Sequence, residues 1–418
     1  MRDRIQFLIN RLSERLWVRP LAACSISFAA VYLASLANSI TIEQVALEIP
    51  VKTLETLLGI LASSMLLIAT FAVGSMVAAY ANAGKIATPR SFRLIVADDV
   101  SQNALSVYIG AFIFSLVALP AVNNGHFLPG GRLALFALTA LVFGVVILTF
   151  VGWVDRIARL GLLGSTVESV EVAADAALQR RRRSPRMGGA PVTEAPDHAQ
   201  LVAASSVGHV QRIDLNILSG LAADWQARIS VRAAPGAFVG PGRPLAAVVS
   251  LTGQAIAFDP ALVESAFVIG RSRTFDDDPR FGLVVLSEIA SRALSPAVND
   301  PGSAVDVISA LVRILVRWGE PLGASALDVR PGVEVPALEV EDVFMDAFRS
   351  IARDGAGCIE VGLRLQLAFE ILAAAEGGRF REVAQRHAQA ALARAEVAMT
   401  CEADLEELRG KVRATLAQ

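Results

Sequence analysis

The sequence predicts an α-helical membrane domain of four spans, followed by a cytoplasmic α+β domain with a small β-barrel-sandwich-like part and a helical C-terminal part. Four long stretches before Asp155 contain no charged residue, and each exceeds the roughly 20 apolar residues that a helix needs to cross a bilayer. Because lipid offers no hydrogen bonds to the backbone, we expect all four to be helical. The stretches are Pro20–Thr41, Thr56–Gly84, Val100–Gly131 and Leu133–Val154.

The overall composition also indicates a membrane protein. Hydrophobic residues make up 54% of the chain and the mean hydropathy is +0.52, which exceeds the values usual for soluble proteins. A net charge of −2 argues against nucleic acid as a main partner. Cys24, Cys358 and Cys401 lie far apart in the chain, so neither a disulfide framework nor a metal site is predicted, and no cofactor is expected.

The distribution of basic residues predicts that both termini lie in the cytoplasm. Basic residues precede the first span, lie between the second and third spans and follow the fourth, whereas the opposite side carries only Lys52 and Arg132. Residues 1–19 form an arginine-rich amphipathic segment that we expect to lie along the inner membrane surface. Its apolar residues are Ile5, Phe7, Leu8, Leu12, Leu16 and Trp17.

Small residues recur along one face of the second span. They are Ala69, Ala72, Ser75, Ala79 and Asn82. Such a face either packs tightly against other helices or lines a narrow aqueous path in a homo-oligomer. The span cores lack acidic and basic residues, which argues against a proton-coupled carrier but allows a channel with a hydrophobic gate.

Polar residues at the ends of the third span predict its boundaries. Asp98 or Asp99 can cap the start of the helix, and Asp98 can pair with Arg93. These charges are structural, or they form an ion-selectivity ring if copies of the chain surround an axis. Pro120 and the turn residues 123–126 predict the end of the helix.

Beyond the spans, the chain divides into three predicted regions. Residues 155–197 form a helix to Arg183 and then a flexible, Pro- and Gly-rich linker. Residues 198–255 form a small β-rich domain, whose Pro-Gly turns resemble those of lipoyl and biotinyl carriers. The chain has lysine only at positions 52, 85 and 411, so it offers no cofactor attachment in this region. Residues 256–418 are mainly helical because their apolar positions recur every three or four residues.

A run of charged and turn residues between Phe267 and Ala304 contains the candidate ligand site. The candidate residues are Arg271, Arg273, Asp277, Asn299 and Asp300. They could bind a small ligand or a cation. The alternative is a salt-bridged, capped junction between two helices, in which Asp300 or Ser303 caps a helix that begins near Pro301.

This same run resembles a known bacterial family. The matching residues are Arg273–Thr274, Asp277, Phe281–Gly282, Ile289–Ala290, Ala293–Pro301 and Ala304. They resemble the predicted membrane proteins called domain of unknown function 2254, and the resemblance extends over nearly the whole chain. It implies a multi-pass protein of the bacterial inner membrane and supplies no activity or catalytic residue.

Three functions remain open on the sequence. The first is a homo-oligomeric channel or transport-related protein with a cytoplasmic gating or sensing domain. The second is a membrane-anchored binding or signalling scaffold that conducts nothing. The third, a cation-dependent cytoplasmic enzyme, has the least support, because His209 and His387 are isolated and no nucleophile–base pair is recognisable. The expected partners are the lipid bilayer, further copies of the chain, and a small cytoplasmic ligand or ion.

Overall fold

A computed structural model describes residues 17–39, 49–86, 88–92, 94, 98–159, 162–194, 196, 199–253, 256–321 and 329–416. The chain forms two compact units, Met1–Thr166 and Val167–Gln418, which we call the span unit and the second unit. Most of the predicted amphipathic segment 1–19 lies outside the described residues, and so does Arg93, the predicted partner of Asp98.

The span unit contains four helices that are long and apolar enough to cross a membrane, as predicted. They are α1 (Val18–Leu36, continued by a 3₁₀ turn at Ala37–Ser39), α2 (Val51–Ile86), α3 (Asp99–Asn123) and α4 (Pro129–Arg159). The predicted turn at residues 123–126 is present and separates α3 from α4, so the apolar stretch Val100–Gly131 is longer than the helix within it. Pro120 does not end the helix but lies in its last turn, where its ring does not prevent Asn124 from donating to the Pro120 carbonyl.

Helix α3 is the central helix of the span unit and packs against each of the other three. Small residues allow close approach: a Cβ added at Gly110 would lie 3.1 Å from Ala23 Cβ, and Ser27 donates to the Gly110 carbonyl at 2.8 Å. The outer helix faces are apolar and exposed, as in Leu67 (72%) and Leu148 (77%), which suits contact with lipid.

The second unit begins in α5 (Leu163–Arg183), which ends in four arginines. We expected one helix to run from Asp155 to Arg183. Instead α4 ends at Arg159, Leu162 is not helical, and α5 starts anew at Leu163.

Two small sheets follow α5. Their strands are β1 (Gln200–Ala203), β2 (Gly208–Ile213), β3 (Ala227–Val231), β4 (Phe238–Val239), β5 (Pro244–Ser250), β6 (Phe267–Gly270) and β7 (Val333–Glu334). One sheet has the order β1-β5-β3-β7 and the other β4-β2-β6. Helices α6 (Leu215–Asp224) and α7 (Pro260–Glu264) lie between strands in sequence. Apolar residues of these strands and of α6 form one core.

The β part takes strands from outside residues 198–255. Strand β6 pairs with β2, and β7 lies parallel to β3. Within the segment predicted as a linker, Ala190 donates to the Val333 carbonyl and accepts from Val335 N–H, at 2.8 and 3.0 Å. This pairing anchors that part of the segment to the sheet.

The remaining helices form an apolar layer around clustered phenylalanines. The helices are α8 (Phe281–Ala293), α9 (Pro301–Gly319), α10 (Val340–Asp354), α11 (Ile359–Ala374), α12 (Arg381–Ala398) and α13 (Glu402–Leu416). Phe344 contacts both Phe348 and Phe380, with ring centroids 5.7 Å apart in each pair, and all three rings are buried. The C-terminal part of the chain is therefore helical, as predicted.

Candidate functional site

The predicted ligand residues lie in two separate places in the second unit. Arg273 follows β6 and forms a bidentate ion pair with the buried Asp278, at 2.6 and 3.0 Å. Asp278 Oδ1 also accepts from the backbone N–H groups of Arg280 and Phe281, at 3.0 and 3.2 Å. Asp278 therefore holds the start of α8 and the end of the β6 loop together, although it was not among the five candidate ligand residues.

Asp277, the next predicted ligand residue, lies near three arginine side chains. Its carboxylate lies 4.0 Å from the Arg212 guanidinium, and 40% of its side chain remains exposed. The surrounding protein removes water from the carboxyl and raises the pKa of Asp277, whereas the charges of Arg212, Arg180 and Arg181 oppose this rise. Arg180 at the end of α5 donates to the carbonyl oxygens of Phe275 and Asp276, which fixes the loop to α5.

The other predicted ligand residues form a helix junction. Asp300 caps α9, because its carboxylate accepts from Ser303 N–H at 3.1 Å and from Ser303 Oγ at 2.5 Å. These hydrogen bonds lower the pKa of Asp300. Asn299 adopts a positive φ of 50° at this turn, and Arg271 is exposed. No hydrogen bond or ion pair between described residues joins Asn299 or Asp300 to the Arg273 and Asp277 group.

The structure places the predicted pore-lining residues of α2 in unequal environments. Ala69 and Ala72 are buried within the span unit, at 9% and 0% exposure. Ser75 and Ala79 are half-buried and Asn82 is exposed. The buried side of α2 packs on α3, so Ala69 and Ala72 take part in helix packing within one chain.

Polar groups converge at the end of the span unit where α3 begins. Asp98 caps α3 by accepting from Ser101 N–H at 2.9 Å, and it also accepts from Arg156 Nε of α4 at 2.8 Å. The Asp98 side chain is only 4% exposed. Nearby, Arg19 of α1 donates to Asp99 at 2.5 Å and to Asn103 at 2.8 Å. We use the name Asp98 cluster for the Asp98–Arg156 pair together with five buried residues of the span unit that carry polar atoms, namely Tyr80, Thr88, Ser101, Tyr108 and Trp153.

Several members of the Asp98 cluster are buried and have polar atoms without a partner in the described part of the chain. These atoms are Tyr80 Oη, Thr88 Oγ1, Ser101 Oγ, Tyr108 Oη and Trp153 Nε1. The ring of Trp153 meets that of Tyr108 edge to face, with centroids 6.3 Å apart. Buried hydroxyl and indole groups in proteins normally have a hydrogen-bond partner, and ordered water often supplies it where the protein does not.

The sequence analysis missed this cluster. It assigned Asp98 a cap, which the structure confirms, but not its pairing with Arg156, a residue far away in the sequence. Tyr108 and Trp153 were the available signal, since both carry a polar atom within an otherwise apolar span. Among the described residues, no group of three His, Cys, Asp or Glu side chains could hold a metal ion.

Comparison with known proteins places the chain in a family. Two uncharacterized mycobacterial proteins, one from Mycobacterium bovis and one from Mycobacterium tuberculosis, are each 29% identical to it over 235 residues. The match covers 52% of this chain and 43% of each relative, so the chain spans less than half the length of these relatives. No solved structure matches the chain. The profile of the family described as "Predicted membrane protein (DUF2254)" matches residues 13–370, and the chain belongs to that family.

Proposed function

We propose that the protein is a homo-oligomeric channel or transport-related protein of the bacterial inner membrane, with both termini in the cytoplasm. The second unit then gates the spans or senses a ligand. One observation carries this proposal: the Asp98 cluster contains buried polar atoms that lack hydrogen-bond partners among the residues that the structure describes.

The energetic cost of those atoms favours hydration. A buried polar group without a partner costs about 1–3 kcal/mol, and the Asp98 cluster has several of them. Water offsets this cost by supplying hydrogen bonds. In the proposed orientation the cluster lies at the cytoplasmic end of the spans, with the Asp98–Arg156 ion pair at its entrance.

Beyond Tyr108 the buried face of the same central helix is mainly apolar, and the hydroxyl of its one buried serine, Ser115, donates to the Ala111 carbonyl. Ala111, Phe114 and Ala118 are all buried, with exposures between 0% and 4%. A hydrated cluster that leads into an apolar constriction corresponds to a channel closed by dewetting. Opening would require α3 to shift against its neighbours. Helix α4 carries Trp153 and Arg156, and the chain continues from it into α5 and the second unit.

The proposal is tested by ion flux from liposomes that contain the purified full chain, with empty liposomes as the baseline. Tyr108→Phe removes only the buried hydroxyl, and Tyr32→Phe makes the same change at a residue that is 67% exposed. We expect flux from the wild type, a several-fold reduction in Tyr108→Phe, and no change in Tyr32→Phe. Absence of wild-type flux across varied voltage, membrane tension and divalent cation concentration would contradict the proposal.

A second candidate is a scaffold whose spans serve only as an anchor. The burial of Ala69 and Ala72 favours it, because small residues buried within one chain serve packing. In that case the flux is absent, and Tyr108→Phe raises thermal stability because it removes a hydroxyl without a partner. A bulky replacement of Ala72 cannot separate the two candidates, since it would overpack the core in both.

A further inference from the structure

A basic cluster in the second unit contains one guanidinium group without a hydrogen-bond partner. Arg181, near the end of α5, is only 7% exposed. Its Nη1 atom has no acceptor in the described part of the chain. A buried cation without a hydrogen-bonded partner is costly, so the folded protein gains if an acceptor occupies this position.

The two nearest carboxylates do not supply that acceptor. Asp278 is committed to Arg273 and to two backbone N–H groups. Asp277 makes a loose contact of 4.0 Å with Arg212. Both carboxylates lie close enough to favour a charged Arg181, but burial dominates and lowers the pKa of this residue.

Two further arginines add positive charge near Arg181, which Asp276 and Asp277 offset in part. Arg180 lies beside Arg181, with its Nη2 held by the Phe275 and Asp276 carbonyl oxygens. Arg212 approaches from strand β2. Arginine forks fit the tetrahedral oxygens of phosphate through paired, charge-assisted hydrogen bonds.

We propose that Arg181, together with Arg180 and Arg212, binds the phosphate group of a cytoplasmic solute or of a lipid head group. A phosphate oxygen accepts from Arg181 Nη1, and the flanking guanidinium groups balance the remaining charge. Asp277 then acts as a negative neighbour that limits the affinity. This inference deepens the sensing part of the proposed function, but it is tested by binding, so that failure to bind and failure to conduct are separate results.

The test measures binding of inorganic phosphate and pyrophosphate to the full chain in phosphatidylcholine nanodiscs, by calorimetry and by the thermal unfolding midpoint. We expect pyrophosphate to raise the midpoint. We also expect Arg181→Gln to weaken binding about tenfold or more, as the loss of a charge-assisted hydrogen bond requires. Arg183→Gln is the matched control, because Arg183 lies in the same run of arginines but is exposed.

A second variant keeps the test decisive if Arg181→Gln folds poorly. Asp277→Asn removes the competing negative charge, so it should increase the affinity for pyrophosphate several-fold. If Arg181 instead serves an internal ion pair with Asp277, then Asp277→Asn lowers stability and no phosphate binding is gained. That result would overturn the proposal.

The source of the phosphate is distinguished by a lipid arm. Nanodiscs that contain phosphatidylglycerol are compared with pure phosphatidylcholine, in the absence of free phosphate. Stabilisation by the anionic lipid that Arg181→Gln abolishes assigns a head group, and stabilisation by pyrophosphate alone assigns a solute. If neither raises the midpoint, or if Arg181→Gln and Arg183→Gln behave alike, the site does not exist.

Discussion

At the scale of single residues, Gly236 controls how closely the loop before β4 approaches Asp278. Gly236 has a φ of +95°, and a Cβ at this position would lie 2.4 Å from Asp278 Oδ2. Only glycine allows this approach, because a side chain would be strained and would also collide with the carboxylate. The loop geometry and the Arg273–Asp278 ion pair therefore depend on each other.

We predict that Gly236→Ala lowers the free energy of unfolding by more than the about 1–3 kcal/mol expected from backbone strain alone. Gly242→Ala is the control, because Gly242 has a φ of +83° and nothing lies within 4 Å of the added Cβ. The measurement is denaturant or thermal unfolding of both variants. Equal losses in the two variants would show that the Asp278 contact contributes nothing.

His387 makes the stability of the helical layer depend on pH. The ring lies near Phe344 and Phe369, and burial lowers its pKa below the usual 6.5, although Glu341 at 3.1 Å opposes this shift. The unfolded chain therefore binds a proton at higher pH than the folded chain does. The stability contributed by the neutral ring is complete above pH 6.5 and is lost as the pH falls below that value towards the folded pKa.

We predict that the unfolding midpoint of the wild type falls more steeply below pH 6.5 than that of His387→Gln. His126→Gln, a change at an exposed histidine, should leave the wild-type profile unchanged. Parallel profiles for wild type and His387→Gln would contradict the assigned burial effect.

At the scale of secondary structure elements, the α8–α9 junction depends on a cap. Asp300 satisfies the N–H group of Ser303, and Pro301 occupies the first turn of α9. Loss of such a cap typically costs about 1 kcal/mol. The run of charged and turn residues between Phe267 and Ala304, which suggests a ligand site, thus contains the end of α8 and the start of α9.

We predict that Asp300→Ala destabilises the protein by about 1 kcal/mol, whereas Asp300→Asn retains most of the stability because asparagine also caps helices. Asp306→Ala removes an exposed carboxylate further along α9 and should cost less. Chemical denaturation measures all three. If Asp300→Asn loses as much as Asp300→Ala, the charge rather than the cap is responsible.

Local patterns predicted elements better than they predicted partners. Helix α6 (Leu215–Asp224) is an element that a local pattern can define, because its cap Asp214 and its apolar residues are neighbours in the sequence. Strand β7 has two residues and is a strand because it pairs with β3, so no local sequence pattern predicts it. The tertiary fold determines which strands pair, and a local sequence pattern does not predict this pairing.

The same limit applies to the candidate sites. A run of four arginines suggests a solvated helix end, yet the fold buries Arg181 and leaves Arg183 exposed. The structure pairs Asp98 with Arg156, which lies far away in the sequence, whereas the predicted partner Arg93 lies outside the described residues. Arg271 and Asn299 were predicted to share a site with Arg273, and among the described residues no hydrogen bond or ion pair joins either of them to it.

At the scale of the whole molecule, the central claim is that water reaches the Asp98 cluster inside the span unit. Ser101 and Ser115 are both completely buried on α3. Ser101 lies about two helical turns before Tyr108, and Ser115 lies about two turns after it. Ser101 belongs to the Asp98 cluster, and its Oγ atom has no hydrogen-bond partner among the described residues. Ser115 does not belong to it, and its hydroxyl donates to the Ala111 carbonyl. The two serines are therefore matched probes of a wet and a dry position.

The most direct measurement is labelling of Ser101→Cys and Ser115→Cys by a charged, membrane-impermeant thiol reagent in membrane vesicles, after replacement of the three native cysteines. The reagent requires water at the thiol. We expect Ser101→Cys to react in vesicles that expose the cytoplasmic face and Ser115→Cys to stay protected, while both react after denaturation. If Ser101→Cys is protected as completely as Ser115→Cys, the bundle is dry and the account of a hydrated path is wrong.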